Sequence, residues 1–304
     1  MDKRLLCIVG PTGVGKNKVA LEVAKEVNGE IINCDSRQIF KGFPIITAQP
    51  TEEEKKVCPH HLYGFLDVSE KIDAAKFSKI AEKVIDEVHG RKHLPILVGG
   101  TGLYFKAILE GLAPIPDIPL EIRNKILNEL KEKGLERLYQ KLKKIDPEAA
   151  NKIHPNDWQR ITRALEVFEL TGKPISWWQK NYLPKPKYNC LKIGLKIELD
   201  ELKKKLWYRI EDMILKGAVE EVKSALNKNI DFNSPVWSSI GCKELLMYIK
   251  GELSLEDAKW KWFKYTKDYA RRQIFWFKKE KDIKWFNPKD LDKIIEYVKK
   301  WLLN

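Results

Sequence analysis

Cysteine is scarce in this chain of 304 residues, and long apolar runs are missing from it. The five cysteines are scattered, odd in number and without a C-x-x-C pair, which argues against a disulfide framework and a zinc module. No apolar run approaches the roughly 20 residues that a helix needs to cross a bilayer. Residues 1–4 lead directly into an apolar strand rather than a signal peptide, so we expect a cytoplasmic protein with no membrane partner.

The one candidate for a metal site in the sequence is the short stretch from Cys58 to His61, which also contains Pro59 and His60. No second group of ligands accompanies this stretch. A turn with two imidazole rings is more often structural than metal-binding. We therefore predict no metal there.

Acidic residues are outnumbered by basic ones, 43 against 56, which gives a formal net charge of +13. Lys- and Glu-rich surfaces also form ion-pair networks in proteins of heat-loving organisms, but such networks do not explain an excess of one sign. The excess favours a polyanionic partner, and among these a nucleic acid. The length allows one large domain and a second lobe.

The first strand and the loop after it suit a phosphate group. Residues 5–9 read as a buried strand, and residues 18–25 have the apolar period of a helix. Between them, the spacing G-x-x-x-x-G-K ends at Lys16, although Asn17 stands where Ser or Thr is typical. Backbone N–H groups, a helix N-terminus and the Lys16 ammonium would converge on one anion.

Polar residues follow two further predicted strands. Residues 30–35 read as a short strand ending in Asp35, which would face the same crevice as the phosphate loop. Asp35 is thus a candidate base, and equally a helix N-cap or turn residue. The strand at 94–98 runs into a Gly-rich turn in which Thr101 either donates to a phosphate or caps the next helix.

Two Pro-rich connectors, 113–119 and 183–186, bound a region of helical patterns. These patterns cover residues 120–132, 135–144 and 157–168. We interpret the region as an insertion into the sheet domain. Arg160 and Arg163 share one helix face, which suits a phosphate or a nucleic-acid backbone, although a solvated basic face is the common alternative.

The remaining segments alternate between loops, strands and helices. Residues 43–65 read as an irregular loop, 74–89 as a helix, 191–199 as a strand, 201–216 and 219–227 as helices, 283–286 as a last strand and 291–303 as a closing helix. The helix at 257–281 interleaves aromatic and cationic residues between Trp260 and Lys279. Such interleaving is typical of RNA recognition, although part of the aromatic set must be core.

Several motifs occur together and in order along nearly the whole chain, and they resemble those of tRNA dimethylallyltransferases. The matching segments are 10–16, 35–42, 47–48, 59–62, 98–104, 154–157, 160–167, 171–174, 240–241, 243–244, 269–273 and 276–277. The resemblance implies an α/β fold: a core like that of P-loop-containing nucleoside-triphosphate hydrolases, with a parallel sheet, plus an α-helical insertion and tRNA-binding lobe. On this basis we expect a catalytic core at 1–114, 191–199 and 281–304, a helical insertion at 115–190 and a tRNA-binding region at 200–280.

The resemblance also implies the reaction. Dimethylallyl diphosphate would donate its dimethylallyl group to N6 of the adenine next to the anticodon, with Mg²⁺ as cofactor and a tRNA anticodon stem-loop as partner of a monomeric enzyme. An alternative within enzymes is a prenyltransferase acting on AMP or ADP. An RNA-binding protein with a vestigial phosphate loop is a further alternative. A small-molecule kinase is another, but a kinase needs a metal-binding hydroxyl that Asn17 does not supply.

Site residues follow from the same resemblance, position by position. Catalysis would rest on Asp35 as the base that accepts the N6 proton, with Thr101 and Lys16. Diphosphate contacts would come from Gly10, Pro11, Thr12, Gly13, Val14, Gly15, Lys16, Asn17, Arg163 and Arg209. Contacts to tRNA would come from Asp35, Ser36, Arg37, Gln38, Thr101, Arg123, Gln159, Arg160, Ile161, Thr162 and Arg163. Asn17 is the candidate metal ligand.

Overall fold

A parallel β-sheet carries the first of two compact units. The structure, a computed structural model, describes residues 3–182, 186–228, 230–232 and 234–304. The first unit comprises Met1–Glu110 with Pro186–Asn304, and the second comprises Gly111–Lys185. Of the predicted connector at 183–186, residues 183–185 lie outside the described residues.

Six strands form the sheet: β1 (Arg4–Val9), β2 (Gly29–Asn33), β3 (His60–His61), β4 (Leu94–Gly99), β5 (Asn189–Leu195) and β6 (Ile283–Phe286). Their order is β3-β2-β4-β1-β5-β6, and every pairing among these strands is parallel. The predicted α/β class with a parallel sheet is confirmed. Because parallel strands end at one edge, the loops after β1, β2 and β4 meet there.

Helices of the first unit cover both faces of the sheet. They are α1 (Lys16–Val27), α2 (Glu52–Val57), α3 (Ala74–Gly90), α4 (Gly102–Leu109), and, numbered in chain order after the helices of the second unit, α9 (Leu199–Leu215), α10 (Ala218–Asn227), α11 (Cys242–Ile249), α12 (Leu255–Phe277) and α13 (Leu291–Leu303). Along β1, Leu6 and Ile8 pack against α1 and α13, while the alternating Leu5 and Cys7 are buried on the other face. No helix in the described part of the chain is long and apolar enough to cross a membrane.

The second unit consists of α5 (Leu120–Ile145), α6 (Pro147–Lys152), α7 (Trp158–Thr171) and α8 (Ile175–Asn181). Its core includes Ile126, Leu142 and Ile161, which are fully buried. Gly134 has φ 76° and kinks α5, so the two helices predicted at 120–132 and 135–144 are the arms of one bent element.

The predicted irregular loop at 43–65 is wrong in part, because it contains α2 and β3. Thr51 Oγ1 accepts a hydrogen bond from the Glu54 amide at 3.2 Å, and Glu54 Oε2 accepts one from the Thr51 amide at 2.8 Å. This reciprocal capping box stabilises the start of α2. Likewise, residues 242–249 form α11 and 175–181 form α8 where no helix was predicted.

The stretch from Cys58 to His61 has a structural role near the amino ends of β2 and β4, opposite the edge at which the phosphate loop lies. Glu30, near the start of β2, is 1% exposed, and its carboxylate binds three side chains. It accepts two hydrogen bonds from Arg91, at 2.9 and 2.7 Å, and lies 2.6 Å from a ring nitrogen of His61 and 2.6 Å from one of His93. These hydrogen bonds lower the pKa of Glu30 to about 2 despite its burial.

Candidate active site

A cavity of about 580 Å³ opens where β1 and β2 end. Its wall includes the phosphate loop, the turn at Asp35 and side chains of α9 and α12, all from the first unit. Among the described residues, the charged members of the wall are one acid, Asp35, and the cations Lys16, Lys18, Arg37, Arg209 and Arg272. Such a surplus of cations around one cavity suits an anionic ligand.

The loop after β1 has the backbone geometry expected of a phosphate-binding loop. Gly13 and Gly15 have φ of 78° and 107°, in the left-handed region that glycine adopts without a steric penalty. Lys16 begins α1, and its Nζ donates to the Gly10 and Pro11 carbonyls at 3.0 and 2.8 Å. The ammonium thus braces the loop from within and brings a positive charge to the helix N-terminus.

Two cations beside the loop are poorly solvated. Burial lowers the pKa of Lys16 to about 8; the Asp35 carboxylate opposes this shift and the Arg209 guanidinium adds to it. Burial also lowers the pKa of Arg209, again opposed by Asp35. Arg209 Nη1 donates to Thr12 Oγ1 at 2.8 Å, which ties α9 to the loop. A bound anion would stabilise both cations.

Asp35 forms a turn, which is one of the two roles that the sequence allows, and its role as a base stays a prediction. Its Oδ1 accepts a hydrogen bond from the Arg37 amide at 2.9 Å, which makes a turn, and its own amide donates to Asn33 Oδ1 at 2.9 Å. The residue nevertheless lines the cavity. The turn therefore holds the carboxylate in a fixed position near the Lys16 and Arg209 charges.

Thr101 lies behind this turn and supports it. Its Oγ1 accepts a hydrogen bond from the Ser36 amide at 3.0 Å and makes no capping bond to α4. Burial and the Asp35 charge raise the pKa of the Tyr269 hydroxyl on α12, and Thr101 partly offsets this rise. Thr101 thus joins the turn to α12, and a direct contact with substrate remains a prediction.

Comparison with known proteins identifies the family. A family model described as IPP transferase matches residues 38–280. The chain belongs to the IPP transferase family. A tRNA dimethylallyltransferase from Maridesulfovibrio salexigens is 50% identical over 304 residues, 99% of each chain, and one from Oleidesulfovibrio alaskensis is 47% identical over 287 residues, 94% of each chain.

Solved structures of IPP transferases share the fold. The tRNA isopentenylpyrophosphate transferase of Bacillus halodurans has a TM-score of 0.73 at 36% identity, and the match covers 98% of this chain and 96% of that one. A eukaryotic dimethylallyltransferase acting on tRNA has a TM-score of 0.82 at 31% identity, covering 96% and 75% respectively. The resemblance predicted from the motifs is therefore confirmed.

In this IPP transferase, the predicted residues of α5 and α7 lie in the second unit. Gln159 and Arg160 are exposed, whereas Ile161 and Thr162 are buried within that unit. The Arg163 guanidinium lies 3.9 Å from the carboxylate of Glu166. Arg123 belongs to α5, and its charge also lowers the pKa of Glu166, although burial raises it overall. The diphosphate and tRNA contacts assigned to these residues stay predictions.

The aromatic and cationic stretch of this IPP transferase divides between core and surface. Trp262 is 3% exposed and covers Gly241, where a Cβ atom would approach the indole to 2.6 Å. Trp260 and Phe275 are more than half exposed, as RNA stacking requires. The burial of Trp262 shows that part of the aromatic set is core, as predicted.

Sequence reasoning missed the role of α12 at the site. Tyr269 and Arg272 line the cavity, and Gln273 reaches the phosphate loop. Tyr269 and Gln273 are four residues apart, so they share a helix face. The four-residue spacing is visible in the sequence, but which loop this helix face contacts depends on how α12 packs.

Proposed function

We propose that this IPP transferase transfers the dimethylallyl group of dimethylallyl diphosphate to N6 of the adenine beside the anticodon of tRNA. The observation that carries the proposal is the cavity in which a phosphate loop, two half-buried cations and one carboxylate face a common space. The names of the relatives support the choice of donor and acceptor. The excess of positive charge supports a tRNA acceptor over a mononucleotide.

Donor binding would use the loop from Gly10 to Asn17. Its backbone N–H groups, the α1 N-terminus, Lys16 and Arg209 would bind the diphosphate. Bond breaking moves an electron pair from the C1–O bond onto the departing diphosphate. Cations fixed beside that oxygen stabilise the developing charge more than they stabilise the bound substrate, which lowers the barrier.

Asp35 would activate the acceptor, the adenine N6. The adenine N6 forms a bond to C1 as the C1–O bond breaks, and a proton leaves N6 for the Asp35 carboxylate. The Arg37 amide holds Oδ1 of that carboxylate, and Oδ2 has no hydrogen bond within the described residues. Proton acceptance by a positioned carboxylate contributes a factor of roughly 10² to 10⁴. The adenine must leave its stack to reach this cavity.

The donor set of the cavity fits Mg²⁺ bound mainly by substrate. The described residues contain no cluster of three His, Cys, Asp or Glu side chains able to hold a metal. Mg²⁺ often binds through one or two protein oxygens, substrate phosphates and water. Asn17 lines the cavity and offers an amide oxygen, so it is the candidate ligand. Bound Mg²⁺ would neutralise charge on the diphosphate.

Asn17→Thr tests that ligand. A threonine hydroxyl is the usual Mg²⁺ contact in phosphate loops, so we expect the variant to reach half-maximal activity at a lower Mg²⁺ concentration, by about threefold to tenfold. Titrations of prenyl transfer against MgCl₂ for both proteins measure this. Identical titration curves would remove Asn17 as a metal ligand.

The lowered pKa of Lys16 predicts a pH dependence. In the free enzyme Lys16 loses its charge above about pH 8, so kcat/KM for the donor should fall by about tenfold per pH unit there. A bound diphosphate raises that pKa, so kcat at saturating donor should stay flat over the same interval. The two profiles, recorded from pH 7 to 9.5, check this. A constant kcat/KM contradicts it.

The function itself is tested by supplying labelled dimethylallyl diphosphate with bulk tRNA, with AMP or with ADP. Label in tRNA supports the proposal. Label in a mononucleotide establishes the alternative prenyltransferase. No transfer, with tRNA binding retained, identifies a non-catalytic RNA-binding protein. Phosphoryl transfer from ATP in a parallel assay would instead identify a kinase.

A further inference from the structure

Gln273 on α12 is buried, 4% exposed, between the two Gly-rich loops of the site. Its Oε1 accepts a hydrogen bond from the Thr12 amide at 2.8 Å, and its Nε2 donates to the Gly100 carbonyl at 3.0 Å. One side-chain amide therefore joins the loop after β1 to the loop after β4. A buried amide whose two ends are satisfied in this way has one orientation.

The second loop is shaped around α12. A Cβ atom at Gly100 would lie 1.9 Å from Gln273 Nε2, and one at Gly102 would lie 2.0 Å from Trp276 Nε1. Neither position therefore has room for a side chain. The glycines beside Thr101 are thus explained by the close approach of α12, rather than by a phosphate bound at this turn.

Thr12 is held from two directions. Gln273 fixes its backbone N–H, and Arg209 donates to its hydroxyl oxygen at 2.8 Å. Because that oxygen already accepts a bond, the hydroxyl proton is free to be donated to a ligand. Fixing the backbone of Thr12 fixes where that donor points.

We propose that Gln273 is a positioning residue that holds Thr12 and the phosphate loop in the arrangement that binds the diphosphate of the donor. The proposal rests on the proposed function for the identity of the donor. One turn earlier, Tyr269 lines the cavity near Thr101, which supports the Asp35 turn. The same face of α12 therefore sets the spacing between the diphosphate site and the base.

Gln273→Met tests this, since it keeps the length of the side chain and removes both hydrogen bonds. The probe is inorganic diphosphate, titrated by calorimetry. We expect its Kd to rise between about tenfold and 100-fold, because small displacements of binding groups have effects of this size. The KM for tRNA should change less than threefold. Gln140→Met is the matched control, because Gln140 is exposed and its side chain bonds only Glu136 among the residues that the structure describes.

Gly100→Ala approaches the same contact from the other side. Its methyl group displaces the Gln273 amide, so it should raise the Kd for diphosphate as Gln273→Met does. The double variant should be no worse than either single variant, because both remove one interaction. Fully additive effects, or a lowered Tm with an unchanged Kd, would overturn the proposal and leave Gln273 a packing residue.

Amide hydrogen exchange of the ligand-free wild-type enzyme gives a test that requires no variant to fold. The Thr12 amide should be protected, since it donates a hydrogen bond to Gln273 Oε1. Exchange at the rate of an open loop would contradict the proposal. Failure of prenyl transfer in the wild type, with diphosphate still bound, would refute the proposed function and leave this inference standing.

Discussion

Asp35→Asn should lower kcat for prenyl transfer by roughly 10² to 10⁴, the factor expected for loss of a general base. The amide keeps an oxygen for the Arg37 N–H, so the turn survives while the proton acceptor is lost. Asp35→Ala should nearly abolish transfer for the same reason. Binding of tRNA should persist in both variants, because that binding depends on many cations. Single-turnover rates and filter binding measure the two quantities.

Asp67→Asn is the matched control. Asp67 also forms a turn, because its Oδ1 accepts a hydrogen bond from the Ser69 amide at 3.0 Å, but it lies outside the cavity. Its substitution should leave kcat within twofold of wild type. Retention of most turnover in Asp35→Asn would eliminate Asp35 as the base, whatever the control shows.

Glu30→Gln should lower the free energy of unfolding by roughly 3 kcal/mol near pH 7. The carboxylate is 1% exposed, and its pKa is lowered from 4.5 to about 2 by its hydrogen bonds to Arg91, His61 and His93. A shift of that size corresponds to this free energy, since one pKa unit is about 1.4 kcal/mol. Urea denaturation measures the difference. Donor binding should be unaffected, because Glu30 lies at the opposite edge of the sheet.

The pH dependence has a defined sign. The pKa of Glu30 is lower in the folded chain than in the unfolded one, so its contribution is complete above pH 4.5 and is lost as the pH falls toward 2. The stability difference between wild type and Glu30→Gln should shrink over that interval. Glu148→Gln, which breaks the exposed pairs with Lys152 and Lys180, should destabilise the fold much less than Glu30→Gln does, because water screens exposed charges. Equal losses for both variants would contradict the argument from burial.

The order of elements around the phosphate loop was predictable because local patterns determine it. An apolar strand, glycines at φ-positive positions and a lysine at a helix start identify the loop from residues 10–16 alone. The ordered motifs indicated the family without any contact being known. The capping box at Thr51 was also readable, but Pro-rich surroundings disguised the short helix after it.

The meaning of single polar residues was not predictable in this way. Asp35 read equally as a turn residue and as a base, and the structure places it in the turn and in the cavity. Thr101 read as a cap or a phosphate donor, and its hydroxyl instead holds the Ser36 amide. Both outcomes depend on which distant groups approach the side chain.

The sequence by itself determined the family, the parallel α/β class and the Gly-rich loop after β1, since these follow from periodicity and from motifs close in the chain. Only the tertiary structure decided that Arg209 and Gln273 act on Thr12, and that Glu30 binds Arg91, His61 and His93. These contacts join residues far apart in the chain. Helix packing determines which side chain reaches which loop, and no local pattern encodes that choice.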